Sequence, residues 1–218
     1  MPSGYRKRPP RRRSHNRDAK FIIIATEGAR TEKVYFEDLT SPDWFGNSRI
    51  QVEVLSGAQT DRSPERVLAE LDIYRRRYRL DKDDELWLVI DVDRWGGAKL
   101  GSVARLCQQK GYFLAVSNPC FELWLLLHLR SIDDYSEDIK AEFLENRRVT
   151  SSRSRLDQEL VDILGEYNKS NPNTIYFLPH VSIAIQRAES LDVNRVDRWP
   201  QGLGTRVYVL ARKIISLR

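Results

Sequence analysis

Asp84-Glu85-Leu86-Trp87-Leu88-Val89-Ile90-Asp91-Val92-Asp93 is an apolar run that ends in two carboxylates one residue apart. It reads as a buried strand with a charged tip. In an extended chain the side chains at i and i+2 point to the same side, so Asp91 and Asp93 are expected to present their oxygens together at the carboxyl edge of a sheet. Two like charges that close raise one another's pKa unless a cation sits between them, and Mg²⁺ or Mn²⁺ suits such a pair. A strand-to-loop transition with solvated acids has the same letters, so the Asp-x-Asp alone leaves both readings open.

Working outward, Lys20-Phe21-Ile22-Ile23-Ile24-Ala25-Thr26 is a second continuous apolar run, of the kind found in a parallel sheet covered on both faces. It stops at Glu27-Gly28-Ala29-Arg30-Thr31-Glu32, where Gly28 permits a tight turn and Thr31 is expected to cap a helix over 31–39. Val34, Tyr35, Phe36 and Leu39 give that helix its packing face. Residues 50–55 form a further strand candidate. Ser63 and Pro64 then open a helix carrying Val67, Leu68, Leu71 and Tyr74 at helical spacing. The acidic-tipped strand comes next, followed by a helix to about Gln109 and a strand over 112–116. This alternation predicts an α/β, Rossmann-like core with a mostly parallel sheet flanked by helices, with ligands at the carboxyl ends of the strands.

That placement brings together the turns at Glu27 to Glu32, at Asp91 to Asp93 and after Val116. At the last, Asn118 is expected to cap and Pro119 to start a helix over 120–130, where Glu122 is the acid of an otherwise apolar first half. A carboxylate so placed is costly to desolvate without a partner, and either a shared metal or a solvent-facing stripe would relieve it. Beyond Ser131 the pattern becomes helical, near 136–146, 154–168 and 180–191, with a last amphipathic helix over 205–217. The expected organisation is a basic flexible tail over 1–19, an α/β core over 20–130 and a mostly helical C-terminal part over 131–218 packing on it.

The charge is unevenly placed. Of 36 Lys and Arg, seven (Arg6, Lys7, Arg8, Arg11, Arg12, Arg13 and Arg17) lie in residues 1–17 with no acid, leaving 29 against 31 acidic residues, so the net +5 belongs to the tail. With Pro2, Pro9 and Pro10 and no apolar periodicity, such a segment is expected to be disordered. It serves either as an arm that meets phosphates or as a solubilising extension. Two cysteines, Cys107 and Cys120, and three scattered histidines supply neither a disulfide framework nor zinc-ligand spacing. A reducing cytoplasm fits. No apolar run is long enough to cross a bilayer, so membrane insertion is not expected.

A Glu-Gly turn after the first strand and an Asp-x-Asp after the third resemble the Toprim domain of topoisomerases, primases and related nucleases. Three ordered runs carry a closer resemblance: residues 24–36 (Ile24 to Phe36), the strand ending Asp91-Val92-Asp93, and 117–128 (Ser117-Asn118-Pro119-Cys120-Phe121-Glu122 to His128) are similar to the RloB family, with Thr205-Arg206-Val207-Tyr208 similar to its terminal motif. The resemblance implies a Mg²⁺-dependent (or Mn²⁺-dependent) Toprim-type nuclease hydrolysing phosphodiester bonds in DNA or RNA. It also implies a place near restriction-modification genes, a role in phage defence and an ATPase partner. Carried over by position, it makes Glu27, Glu32, Asp91 and Asp93 metal ligands, with Glu27 alternatively a general base, and adds Glu122 and His128 from the third run. A cation to support the leaving group is expected from Arg94, Lys99 or Arg206. No site is carried over from 131–198.

Other chemistries fit less well. A haloacid-dehalogenase phosphatase would need its aspartates after the first strand, a nucleotide-sugar transferase would leave Glu27 to Glu32 without a role, and no GxxxxGK[ST] loop cradles a nucleotide for an ATPase. A nucleotide hydrolase or nucleotidyl transferase remains compatible. From another class comes a non-catalytic nucleic-acid-binding or regulatory subunit of a defence complex. In that reading His128 is a core histidine, the tryptophans are core, and Arg75, Arg76, Arg77 and Arg79 are a solvated helix face.

Overall fold

A computed structural model describes residues 20–28, 30–46, 50–55, 63–93 and 95–216. The basic tail and Arg94 lie outside the described residues. The chain runs β1 (Lys20–Thr26), α1 (Thr31–Leu39), β2 (Ile50–Leu55), α2 (Pro64–Arg77), β3 (Glu85–Asp91), α3 (Gly97–Lys110), β4 (Phe113–Asn118), α4 (Phe121–Leu129), α5 (Glu137–Glu145), α6 (Arg155–Leu164), α7 (Val181–Leu191), β5 (Gly204–Thr205) and α8 (Val207–Ser216). The sheet order is β2-β1-β3-β4-β5, with the first three pairings parallel and β4 to β5 antiparallel. This is an α/β fold with a five-stranded, mostly parallel sheet, and its strand order reverses between β1 and β3. Ligands gather beyond the carboxyl ends of strands at such a switch point. Thr26 is in register with Val89 there, so Glu27 and Asp91 emerge side by side.

The continuous apolar runs are explained by burial on both faces. On β1, Ile22 and Ile24 face one core while Phe21, Ile23 and Ala25 face the other, and β3 sorts Trp87 and Val89 from Leu86, Leu88 and Ile90 in the same way. Helices α2 and α3 cover the second face with Leu71, Leu100 and Val103. On the first face α4 is the centre. Every residue from Phe121 to His128 is buried, as expected of a helix apolar all round. Residues of α6, α7 and α8, including Leu160, Ala184 and Leu210, join that same core.

Local corrections follow from backbone geometry. Arg30, not Thr31, holds the N-cap position of α1, and the Thr31 hydroxyl donates instead to the Lys169 carbonyl. Asn118 ends β4 rather than capping a helix. Its side-chain amide donates to the Pro200 carbonyl at 3.0 Å, and Cys120 stands at the N-cap of α4. The last helix begins at Val207, because Gly204–Thr205 is taken by β5, whose backbone pairs with Ser117 and Asn118. Among the described residues no helix is long and apolar enough to cross a membrane.

Candidate active site

Three chain segments deliver five carboxylates to one cavity. Glu27 follows β1, Glu32 sits in the first turn of α1, Asp91 ends β3 with Asp93 just beyond, and Glu122 lies in the first turn of α4. All line a cavity of about 370 Å³, together with Gly28, Arg30, Thr31, Cys120, Lys169 and Ser170. The sequence-expected acids are therefore brought together, but Asp93 arrives differently. The strand stops at Asp91, and the amides of Val92 and Asp93 both donate to the Pro119 carbonyl, turning the chain. Asp93 is exposed on that turn rather than pleated beside Asp91.

Backbone amides fix the first two acids. The Asp91 amide donates to Glu27 Oε2 at 3.2 Å, and the Gly28 amide donates to Glu32 Oε1 at 3.0 Å. A Cβ at position 28 would fall 1.8 Å from Glu32 Oε2, so only glycine lets the carboxylate fold back over this turn. Glu27, Glu32 and Glu122 are buried, at 2%, 4% and 1% exposure. Burial, opposed by the backbone hydrogen bond and reinforced by the neighbouring Glu122 and Glu27 charges, pushes Glu32 up to about 7. Burial and then the charges of Glu32, Glu27, Glu122 and Asp93 hold Asp91 well above the usual carboxylate range. Burial and the charges of Glu122, Asp91 and Asp93 raise the Cys120 thiol, whose sulfur also accepts from Asn146 Nδ2, so it is not a nucleophilic thiolate.

Glu122 is neither on a solvent stripe nor left bare. Lys169 Nζ lies 2.8 Å from its Oε1, and the Tyr167 hydroxyl donates to the same oxygen at 3.3 Å. Burial works against the Lys169 charge, yet Glu122 and Asp157 more than offset it and raise its pKa. Lys169 and Tyr167 belong to the irregular segment after α6, and no periodicity in 165–173 marks them. Their detectable signal is that a buried Glu122 needs a partner from somewhere.

Two expected residues are placed elsewhere. His128 is buried in the α4 core: its Nδ1 is 2.8 Å from the Trp124 carbonyl and its Nε2 is 3.0 Å from the Tyr35 hydroxyl. The carbonyl can only accept, so Nδ1 carries the proton and Nε2 accepts from Tyr35. Burial lowers its pKa to about 3, keeping it neutral. Arg206 grips Asp192 through Nε and Nη2 and donates to the carbonyls of Asn194 and Asp197, tying the segment before β5. Neither lines the acidic cavity. Lys99 lies over the Trp95 ring and pairs with Glu65 at 3.4 Å.

Asp91 Oδ1 and Glu122 Oε2 are buried oxygens with no hydrogen-bond partner. Hard-oxygen donors, mutual repulsion and orphaned lone pairs suit a divalent cation chemically. Among the described residues, however, no three His, Cys, Asp or Glu groups already converge to hold a metal ion. The carboxylates ring the cavity rather than close on one point, so enclosing an ion requires side-chain adjustment.

The family model for RloB-like proteins matches residues 22–214, from β1 into α8. No curated protein and no solved structure matches the chain.

Proposed function

The chain belongs to the RloB-like protein family, and we propose that it is a metal-dependent nuclease of Toprim type that hydrolyses phosphodiester bonds in nucleic acid, acting in anti-phage defence beside an ATPase partner. The observation that carries this reading is the gathering of five carboxylates, three of them buried, at the β1/β3 switch point, with Asp91 Oδ1 and Glu122 Oε2 unsatisfied. Glu27, Glu32, Asp91 and Asp93 would hold Mg²⁺ or Mn²⁺, which supplies activation of water and neutralisation of charge developing on the phosphoryl group. The chain's own residues do the rest. The Asp91 amide orients Glu27, which leaves that carboxylate positioned to accept a proton. The Gly28 amide holds Glu32 in place by donating to its Oε1. Lys169 brings an ammonium to the cavity rim, where it can meet a phosphate oxygen or the leaving group, the part for which Arg94, Lys99 and Arg206 were candidates.

One observation favours a second reading, a non-catalytic nucleic-acid-binding or regulatory subunit. Lys169 already neutralises Glu122, and no preformed group of three ligands exists among the described residues. A single set of measurements separates them: purified protein with Mg²⁺ or Mn²⁺ against plasmid, single-stranded DNA, tRNA and bulk RNA, beside Asp91→Ala and Glu27→Ala. Cleavage lost in both variants supports the nuclease. Cleavage unchanged in both removes the acidic site from the reaction. Calorimetric metal titration that gives no heat dependent on Asp91 and Asp93 supports the inert scaffold.

A further inference from the structure

The acidic cavity shares a wall with a larger one of about 810 Å³, a volume typical of small-ligand sites. That wall is the segment after α6: Tyr167 and Asn168 face the larger cavity, Lys169 and Ser170 the acidic one, and Asn171 to Thr174 the larger one again. A ligand spanning both would pass this segment.

We propose that the larger cavity receives an unpaired nucleobase of a single-stranded nucleic acid whose adjacent phosphodiester lies at the acidic cavity. The fate of that phosphodiester rests on the nuclease reading above; the base site does not. Glu37, Asp38 and Glu166 border the larger cavity against Arg153, so a polyphosphate would be repelled there, while a neutral group with hydrogen-bonding edges would not. Asn171 and Asn173 are exposed, and each offers an amide donor and an acceptor, the pairing that base edges accept. On the same lining Tyr176 is 42% exposed, an aromatic face of the kind on which bases stack. At the acidic cavity Arg30 and Lys169 stand against five carboxylates, so a phosphodiester would lie there only beside a divalent cation that offsets their charge. In a duplex the base edges are paired and the faces stacked, so only a strand with splayed bases can fill the cavity.

The test is fluorescence anisotropy with Ca²⁺, a divalent cation that carboxylates bind, in place of Mg²⁺ or Mn²⁺, using a labelled single-stranded oligonucleotide and the same strand in a blunt duplex. Heparin, a polyanion without bases, is added equally to both probes and suppresses backbone binding by the basic tail. The expected result is that the single strand binds about tenfold more tightly or better. Tyr176→Ala, and separately Asn171→Ala with Asn173→Ala, should each weaken it by about tenfold, and Tyr176→Phe should keep wild-type affinity. Equal affinity for strand and duplex, or Tyr176→Ala binding like wild type, overturns the proposal. Thermal unfolding of each variant guards against misfolding, and Tyr176→Phe reports on stacking whatever the alanine variant does. Cleavage by Asp91→Ala is scored in parallel. If it persists while Tyr176→Ala loses binding, the nuclease assignment falls and the base site stands; the reverse pattern removes the base site alone.

Discussion

The two ends of β3 carry acids in opposite circumstances. At its start Glu85 accepts from Lys20 Nζ at 2.6 Å, Lys213 Nζ at 2.7 Å and Trp87 Nε1 at 2.8 Å. Burial disfavours its charge, but those three donors prevail and hold its carboxyl below the usual range. At the other end Asp91 meets burial and four like charges, and its carboxyl is held well above that range. Similar chemical groups thus do different jobs. Glu85 fastens β1, β3 and α8 together, whereas Asp91 is kept at a stability cost that only a ligand, a proton or a reaction would justify.

The sharpest way to break this contrast is removal of the charge at the site. Asp91→Ala should reduce metal-dependent cleavage by about 10³-fold, the scale seen when one well-placed electrostatic partner is lost, while thermal unfolding shows no fall in Tm. A variant that loses both activity and stability would make Asp91 another Glu85. The second effect is the pH dependence of stability. Glu32 has a folded pKa near 7 against an ordinary 4.5, so the folded state binds the extra proton between these values and is stabilised as pH falls through that window. Glu32→Gln should remove a gain on the order of 3 kcal/mol between pH 7 and 4.5, measured as the difference between urea midpoints of variant and wild type. His128 works oppositely, since its folded pKa near 3 makes acidification below 6.5 destabilising. It is common to both proteins, so its contribution cancels in that difference.

At the structural end, Glu85→Ala should destabilise by about 2 kcal/mol, leaving the Trp87 indole N–H without its acceptor. The smallest expected effect is Lys20→Met or Lys213→Met alone. Each ammonium is partly solvated and the other remains, so a loss below about 1 kcal/mol by chemical denaturation is expected. A larger loss from one lysine would show that the Glu85 cluster acts as a unit.

Much of the core was legible because continuous apolar runs and helical spacing survive in the letters. Lys20–Thr26, Thr31–Leu39 and Ile50–Leu55 carry the bounds read from sequence. What escaped lacks a period. β5 is two residues, Gly204–Thr205, formed because β4 offers an edge, and no propensity marks so short a strand. Asp93 shares the cavity with Asp91 as its spacing suggested, but through a turn that no pleat argument describes, because the Pro119 carbonyl captures the two amides after Asp91. The acids of the site were visible as paired turns. Lys169 was not, since its position depends on the Thr31 hydroxyl holding its carbonyl across the fold. His128 came from the resemblance and Arg206 as one of three candidate cations, and their hydrogen bonds commit them to α4 and to the segment before β5.

The contact between Thr31 and Lys169 spans 138 residues of chain, and it has a consequence for synthesis. When the ribosome has delivered residues 20–130, both acidic turns and α4 exist, but the wall between the two cavities does not. Lys169 and Ser170 have yet to emerge, and Glu122 has no counter-ion. A contact of such long range closes late in folding. The nascent chain therefore carries an incomplete centre until the segment that holds Lys169 and Ser170 has left the tunnel.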